Sequence, residues 1–259
     1  EILIGLVGSE MCIRDSLRRL ERPACFDPAT LTRTFRIGVV DNAVCAVMSG
    51  VVKAFFEAAP RASLSFRQIT DSLFDDLADG TLDCAVYPET HSTPSGIQDL
   101  LLYPISYALC VRKGHPLVEA SREKGEVTLD MLRHWRKISV TNRGQNRLEV
   151  YCMDETTVLG EALQETAVTV PYFLAVPSLL NATDFTAVMP MQTARLFEER
   201  DGIVAIPIHP DPESGRGRDA FNTRLIWHER VADEPALQWL RGLFAVHAHW
   251  EDPKAKTGA

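Results

Sequence analysis

Residues 35–56 read FRIGVVDNAVCAVMSGVVKAFF and join a strand pattern directly to a helix pattern. The first six residues are largely apolar and end in two β-branched residues, which is typical of a buried parallel strand. Asp41 and Asn42 come next, and both are residue types that cap the N-termini of helices. From Val44 to Phe56, apolar residues recur at intervals of three and four, which predicts a long amphipathic helix. A strand that passes straight into a helix is the repeating unit of α/β folds.

The same alternation continues along the chain. Leu64 and Phe66 alternate with polar neighbours and predict a second strand. A short helix capped by Asp71 or Ser72 is expected to end at Gly80, because glycine suits the left-handed residue that follows a helix. Residues 82–87 then predict a third strand. Strands separated by helices pair in parallel through right-handed crossovers, so this first unit is expected to be β-α-β-α-β.

A second α/β unit follows a long apolar stretch. Residues 100–111 are apolar apart from a break at Pro104, and we expect them to cross from one lobe to another. Further strands are predicted at residues 137–140, 167–170, 185–188 and 203–206. The last strand, 221–228, and a final helix capped by Asp233 are expected to return to the first lobe. Without this strand and helix, the first lobe would have only three strands and two helices, which is little for a lobe with its own core.

The composition of the 259 residues excludes several classes of protein. A hydrophobic fraction of 46% and a charged fraction of 24% are those of an ordinary globular protein. The formal net charge of −8 argues against this chain gripping a nucleic-acid backbone by itself. No apolar run is long enough to span a membrane. The six cysteines lack the Cys-x-x-Cys spacing of metal sites, so we expect reduced thiols in a cytoplasmic protein.

One segment indicates that the first residues of the chain differ in origin from the rest. The segment LVGSEMCIRDS, residues 6–16, resembles the in-frame translation of a transposase-type sequencing adaptor. We therefore expect residues 1–16 to be an artefact that is foreign to the fold, and residues 17–33 to be the remnant of a linker. The alternative is a genuine hydrophobic N-terminal strand.

Six motifs occur in order and together carry a family resemblance. They are TRTFRIGVVDN, LADGTLDCAVYP, CVRKGHPL, TVPYFLAVPSLL, TAVMPMQTARLF and TRLIWHERVADEPALQWLRGLF. Over residues 17–250 they resemble the effector-binding domain of LysR-type transcriptional regulators, in the branch of NodD and NahR. Any one of the motifs alone would be weak.

The resemblance implies an α/β fold like that of type II periplasmic binding proteins, with two Rossmann-like lobes joined by two crossover strands. The expected division is lobe 1 at 34–104 plus 221–250, lobe 2 at 105–208, a connecting loop at 209–220 and a disordered tail at 251–259. The resemblance also implies an N-terminal winged helix-turn-helix domain that reads promoter DNA. This sequence lacks that domain, so we expect the chain itself not to bind DNA specifically.

Four turns are expected to meet in the cleft between the lobes. Ligands of open parallel sheets bind beyond the carboxyl ends of the strands, and the resemblance places effector contacts at the same turns. The predicted ligand-binding residues are Asp41, Asn42, Ala43, Gln68, Ile69, Thr141, Asn142, Pro171, Tyr172 and Phe173. Simpler roles remain open: helix capping for the first turn, a plain turn at 141–142, and core packing for the aromatic residues.

The sequence predicts a regulator that catalyses nothing. Metal-binding His-Glu-x-x-His, nucleophile-elbow and phosphate-loop motifs are all absent, so we expect no enzyme activity, no metal and no cofactor. The implied partner is a small-molecule effector, aromatic or carboxylate, and the implied assembly is a homodimer or homotetramer away from the membrane. The alternative from another class is a stand-alone solute-binding protein of a transporter. An enzyme sharing the fold is a more distant possibility.

Overall fold

The computed structural model describes residues 26–88, 93–124, 131–132, 134–140, 165–208 and 221–250, together with Asp252 and Lys254. Several predictions fall outside these residues: the linker before residue 26, the turn at 141–142, the loop at 209–220 and most of a short helix expected at 128–132. Among the described helices, none has the length and apolar character needed to cross a membrane.

The larger sheet has five strands in the order β2-β1-β3-β10-β4. These strands are β1 (Thr34–Gly38), β2 (Ser63–Arg67), β3 (Cys84–Pro88), β4 (Ile97–Ile105) and β10 (Phe221–His228). β1 pairs in parallel with β2 and β3, whereas β10 pairs antiparallel with β3 and β4. The strand predicted at 221–228 is confirmed, and it lies in the sheet that the beginning of the chain forms.

The other described strands form two smaller sheets. They are β5 (Tyr107–Arg112), β6 (Lys137–Val140), β7 (Thr166–Val170), β8 (Ala187–Pro190) and β9 (Ile203–Pro207). β5 is the central strand of the first small sheet and runs antiparallel to both β8 and β9. β6 and β7 pair in parallel, and a bridge between Lys137 and Thr186 brings them beside β8.

The described helices cover the faces of these sheets. They are α1 (Asp41–Ala58), α2 (Leu73–Asp79), α3 (Pro116–Lys124), α4 (Val176–Ala182), α5 (Met191–Asp201) and α6 (Pro235–His247). α1 packs on α6, with the rings of Phe55 and Trp239 5.3 Å apart. A Cβ on Gly50 would lie 3.2 Å from the carbonyl oxygen of His247, so glycine permits this close approach.

Several boundaries differ from the sequence predictions. β1 ends at Gly38 rather than at residue 40, α1 begins at Asp41 rather than Val44, and β3 begins at Cys84 rather than at residue 82. The chain breaks between β4 and β5 at Ser106, and Pro104 lies inside β4. Proline is tolerated there because β4 is an edge strand that pairs only with β10. β8 begins two residues later than expected, and Glu234, not Asp233, is the residue before α6. Gly80 does end α2 in the left-handed conformation, with φ of 87°.

Asp83 connects three parts of the first unit. Its side chain is 6% exposed and accepts hydrogen bonds from the backbone N–H of Arg36 (2.7 Å) and the guanidinium of Arg33 (2.9 Å). Arg33 also pairs with Glu234, directly before α6. The carboxylate therefore joins the start of β3 to β1 and, through Arg33, to the final helix.

Replacing Asp83 by alanine should lower the free energy of unfolding by about 3 kcal/mol, because the guanidinium groups of Arg33 and Arg36 and the backbone N–H of Arg36 lose their acceptor. Urea unfolding measures this change. Asp75→Ala is the matched control: Asp75 is exposed on α2, and its loss should cost at most about 0.5 kcal/mol. Equal effects of the two substitutions would contradict a structural role for Asp83.

His115 is a buried histidine at the start of α3. The residue is 1% exposed, and its ring packs edge-on against Trp135 with centroids 4.4 Å apart. Nδ1 accepts from the N–H of Leu117, and Nε2 lies 3.1 Å from the carbonyl oxygen of Asp184. Nδ1 must therefore be unprotonated and Nε2 the donor. Burial lowers the pKa of His115, against the opposing effect of the Asp184 carbonyl. The sequence interpretation of this histidine as structural is supported.

This lowered pKa predicts a loss of stability in mild acid. An unfolded histidine binds a proton near pH 6.5, and the folded one only at lower pH. As pH falls through that interval, the unfolded chain takes up more protons, so stability falls by up to about 1.4 kcal/mol per pH unit. His115→Asn, which retains an acceptor for Leu117, should show a shallower pH dependence of urea unfolding. His249→Asn, at an exposed position, should keep the original slope.

Candidate functional site

Asp41 makes a contact that the sequence did not indicate. It is the first residue of α1, and the residue at the N-cap position is Val40, which makes no side-chain capping hydrogen bond. The Asp41 carboxylate accepts hydrogen bonds from the backbone N–H groups of Phe173 (3.2 Å) and Leu174 (2.8 Å). These residues begin the 3-10 turn Phe173–Ala175, which leads into α4. Asp41 thus fastens α1, which follows the large sheet, to the turn that follows β7.

Asn42 makes a second connection beside the first. It is 5% exposed, and its Nδ2 donates a 2.8 Å hydrogen bond to Oγ1 of Thr193 on α5. Its Oδ1 has no hydrogen-bond partner among the described residues. A buried acceptor without a partner costs free energy, so this oxygen favours a donor that could reach it. The expected helix-capping role of Asn42 is therefore replaced by a contact to another helix.

A small cavity, which we call the inner cavity, lies beside these connections. Asn42, Ala43 and Phe173 line it, as do Tyr103, Tyr107 and Gln192. Its volume is about 30 Å³, which is room for about two water molecules. The rest of its wall is apolar apart from Thr223, and no charged side chain lines it. The inner cavity therefore offers hydroxyl and amide groups but no acid–base pair.

Four other described residues that were predicted for the site do not line the inner cavity. Ile69 is 1% exposed and packs in a separate apolar cluster with Leu73 and Leu77, and Gln68 is half-buried beside it. Pro171 was expected to open a helix, but α4 begins only at Val176; Pro171 and Tyr172 are exposed, and neither lines the inner cavity. Thr141 and Asn142 lie outside the described residues.

The inner cavity contains residues that the sequence did not indicate. Tyr103 and Tyr107 lie on either side of the break between β4 and β5. Burial raises the pKa of Tyr103 to about 12, so the phenol is neutral. Gln192 and Thr193 begin α5 directly after β8, so the strand-end argument could have nominated them. Within the described ranges, no group of three or more His, Cys, Asp or Glu side chains could hold a metal ion.

Known proteins are similar to this chain in sequence and in fold. A family profile described as LysR substrate binding domain matches residues 28–248. The HTH-type transcriptional activator NahR of Pseudomonas putida is 30% identical over 227 residues, covering 86% of this chain and 70% of that protein. NagR of Ralstonia sp, also an HTH-type transcriptional activator, is 27% identical over 224 residues, covering 85% and 68%. The regulatory domain of MexT from Pseudomonas aeruginosa, at 21% identity, has the same fold, with a TM-score of 0.65 over 85% of this chain and 100% of that chain.

The match covers both the large sheet and the smaller sheets, so the fold is the type II periplasmic-binding-protein-like arrangement that the resemblance implied. These relatives are transcriptional activators, and none supports the alternative of a solute-binding protein of a transporter. The chain belongs to the LysR substrate binding domain family and is the effector-binding domain of a LysR-type transcriptional regulator.

Proposed function

We propose that this domain senses a small aromatic carboxylate that binds at the inner cavity after displacing the side chain of Asp41. The observation that carries the proposal is the pair of backbone N–H groups of Phe173 and Leu174, both bonded to one carboxylate. Two convergent N–H donors are a good binding site for a carboxylate, and hydrogen bonds to a charged acceptor are stronger than those to a neutral one. A carboxylate effector could take the place that Asp41 now occupies.

The aromatic part of the proposed effector follows from the wall of the inner cavity. Phe173 and apolar side chains such as Val86 and Ile105 surround the space next to the two N–H groups. The free Oδ1 of Asn42 would accept a hydrogen bond from a hydroxyl group on the ring. A hydroxybenzoate combines these three features, and it is the chemistry that we favour.

The volume of the inner cavity implies that the domain must open to take this effector. A benzoate ring needs several times the space of about 30 Å³. Opening breaks the contacts of Asp41 and Asn42 to the opposite side and separates α1 from α4 and α5. Because the effector would bind the opened arrangement better than the closed one, it would shift the population between them, which is the thermodynamic requirement for a switch.

We extend the proposal to the complete regulator. Promoter DNA would be contacted by a winged helix-turn-helix domain of the parent protein, and the protein would act in the cytoplasm as a homodimer or homotetramer. The division into lobe 1 (34–104 plus 221–250) and lobe 2 (105–208) would then describe the two bodies that move. Residues Thr141 and Asn142 would complete the effector site from lobe 2.

A thermal-shift titration tests the effector class. Benzoate and the three hydroxybenzoates should raise the melting temperature by about 5–10 °C when present at about 100 times Kd, equivalent to about 2.7 kcal/mol. Benzyl alcohol and benzamide, which have the ring without the carboxylate, should give no such rise. The proposal fails for this ligand class if the carboxylates and the two neutral comparators behave alike.

Asp41→Ala tests the displacement directly. Loss of the carboxylate should lower the stability of the free domain by about 1–2 kcal/mol, because two N–H groups lose a charged acceptor. The same change should tighten binding of the best carboxylate about fivefold or more, since no side chain competes with it. Calorimetric titration measures both affinities. Glu57→Ala, at the far end of α1, is the control and should leave the affinity unchanged. Abolished binding in Asp41→Ala would show instead that Asp41 holds the effector.

A further inference from the structure

A second and larger cavity lies outside the inner cavity. It has a volume of about 410 Å³, within the range of small-molecule sites. We call it the outer cavity, and its walls come from Cys45 of α1, from Gln192, Leu196 and Glu199 of α5, and from Trp250. Trp250 packs against the apolar clusters of both the large sheet and the smaller sheets. The walls therefore come from three separate parts of the chain, which are α1, α5 and the segment after α6.

Four charged groups along the outer cavity neutralise one another. Arg195 donates to both carboxylate oxygens of Asp252 (3.0 Å each) and to Glu198 (2.7 Å). Lys254 donates to the same carboxylate of Glu198, also at 2.7 Å. Asp252 and Lys254 were expected in a disordered tail, but these ion pairs fasten them to α5. Although burial opposes the charged form, the pKa of Glu198 is lowered by these hydrogen bonds. Neither cation is left to attract an anionic ligand.

The groups that remain unpaired attract donors and cations. Glu199 is exposed and forms no ion pair among the described residues. Gln192 is 4% exposed, and its Oε1 has no hydrogen-bond partner there. Trp250, Leu196 and Ala46 supply an aromatic and apolar wall beside them. An ammonium group would meet the carboxylate of Glu199 and an aromatic side chain, and a turn of the buried Gln192 amide would bring its Oε1 to the same group. A carboxylate would instead meet Glu198 and Glu199.

We propose that the outer cavity is a second ligand site and that it takes a small organic ammonium ion with an aromatic or apolar body. The ammonium group lies between Glu199 and Oε1 of Gln192, and the body packs against Leu196 and Trp250. Because α1, α5 and the segment after α6 all form the walls, ligand bound there favours the arrangement in which these parts are together. The two cavities share Gln192, but the carboxylate effector does not depend on that residue, so either proposal can fail without the other.

Cys45 provides a local probe for this site. Its thiol is exposed at the outer cavity, whereas Cys84 and Cys110 are buried and burial raises the pKa of each thiol, so both should react slowly. The full chain is alkylated with iodoacetamide, and the rate at Cys45 is followed by peptide mass spectrometry. If benzylammonium binds with Kd near 1 mM, about 10 mM should slow alkylation of Cys45 about tenfold. Benzyl alcohol and benzoate should leave the rate within about twofold.

Two substitutions test the chemistry of the site. Glu199→Gln should weaken protection by benzylammonium about fivefold or more, and Gln192→Met, which keeps the side-chain volume, should also weaken it. Glu57→Gln, an exposed acid at the other end of α1, is the control and should not. Protection that is equal for benzoate and benzylammonium, or unchanged in Glu199→Gln, overturns the proposal. So does protection that follows protein concentration rather than benzylammonium, because a second copy of the chain would then cover the cavity. Hydroxybenzoate binding is unaffected by Glu199→Gln in every case.

Discussion

The carboxylate of Asp41 and the N–H groups of Phe173 and Leu174 hold the start of α1 against the turn before α4. Asn42 adds a bond to Thr193 on the same side, so one turn of chain is fastened at two points to residues that come more than a hundred positions later. Asn42 and Phe173, which take part in these contacts, both line the inner cavity. A hydrogen bond to a charged group contributes only a few kcal/mol, so the contact is strong enough to hold the closed arrangement and weak enough for a ligand to replace it.

Periodicity was sufficient to predict most of the scaffold. The strand predicted at 35–40 and the helix after it are present as β1 and α1, with boundaries that differ by up to three residues. The short length of the apolar run favours a strand, and apolar residues at intervals of three and four indicate a helix. Pro104 was the misleading signal. Proline interrupts a central strand but not an edge strand, and whether a strand lies at an edge depends on pairing with β10, which comes more than a hundred residues later. Sequence order alone does not contain that information.

The candidate site was predictable only in part, again because its contacts join residues that are far apart in the sequence. Asn42, Ala43 and Phe173 were nominated from strand ends, and all three line the inner cavity. Helix capping was a sufficient explanation for Asp41 and Asn42. The sequence therefore did not indicate that they bond to the turn before α4 and to α5. Tyr103 and Tyr107 lie where one strand leads into another. The rule that ligands bind where a strand leads into a helix therefore does not predict them. Ile69 follows a strand as the rule requires, yet its apolar side chain is buried with Leu73 instead.

Competition with Asp41 sets a requirement on any effector at the inner cavity. The Asp41 carboxylate is part of the same molecule as the N–H groups it occupies, so its effective concentration there reaches the millimolar range or above. A ligand that offers only a carboxylate would have to exceed that concentration to displace it. An effector at physiological levels must therefore gain affinity from contacts that Asp41 does not make, such as the apolar wall around Phe173 and the unpaired Oδ1 of Asn42. Specificity against simple carboxylates follows from the protein's own competing side chain.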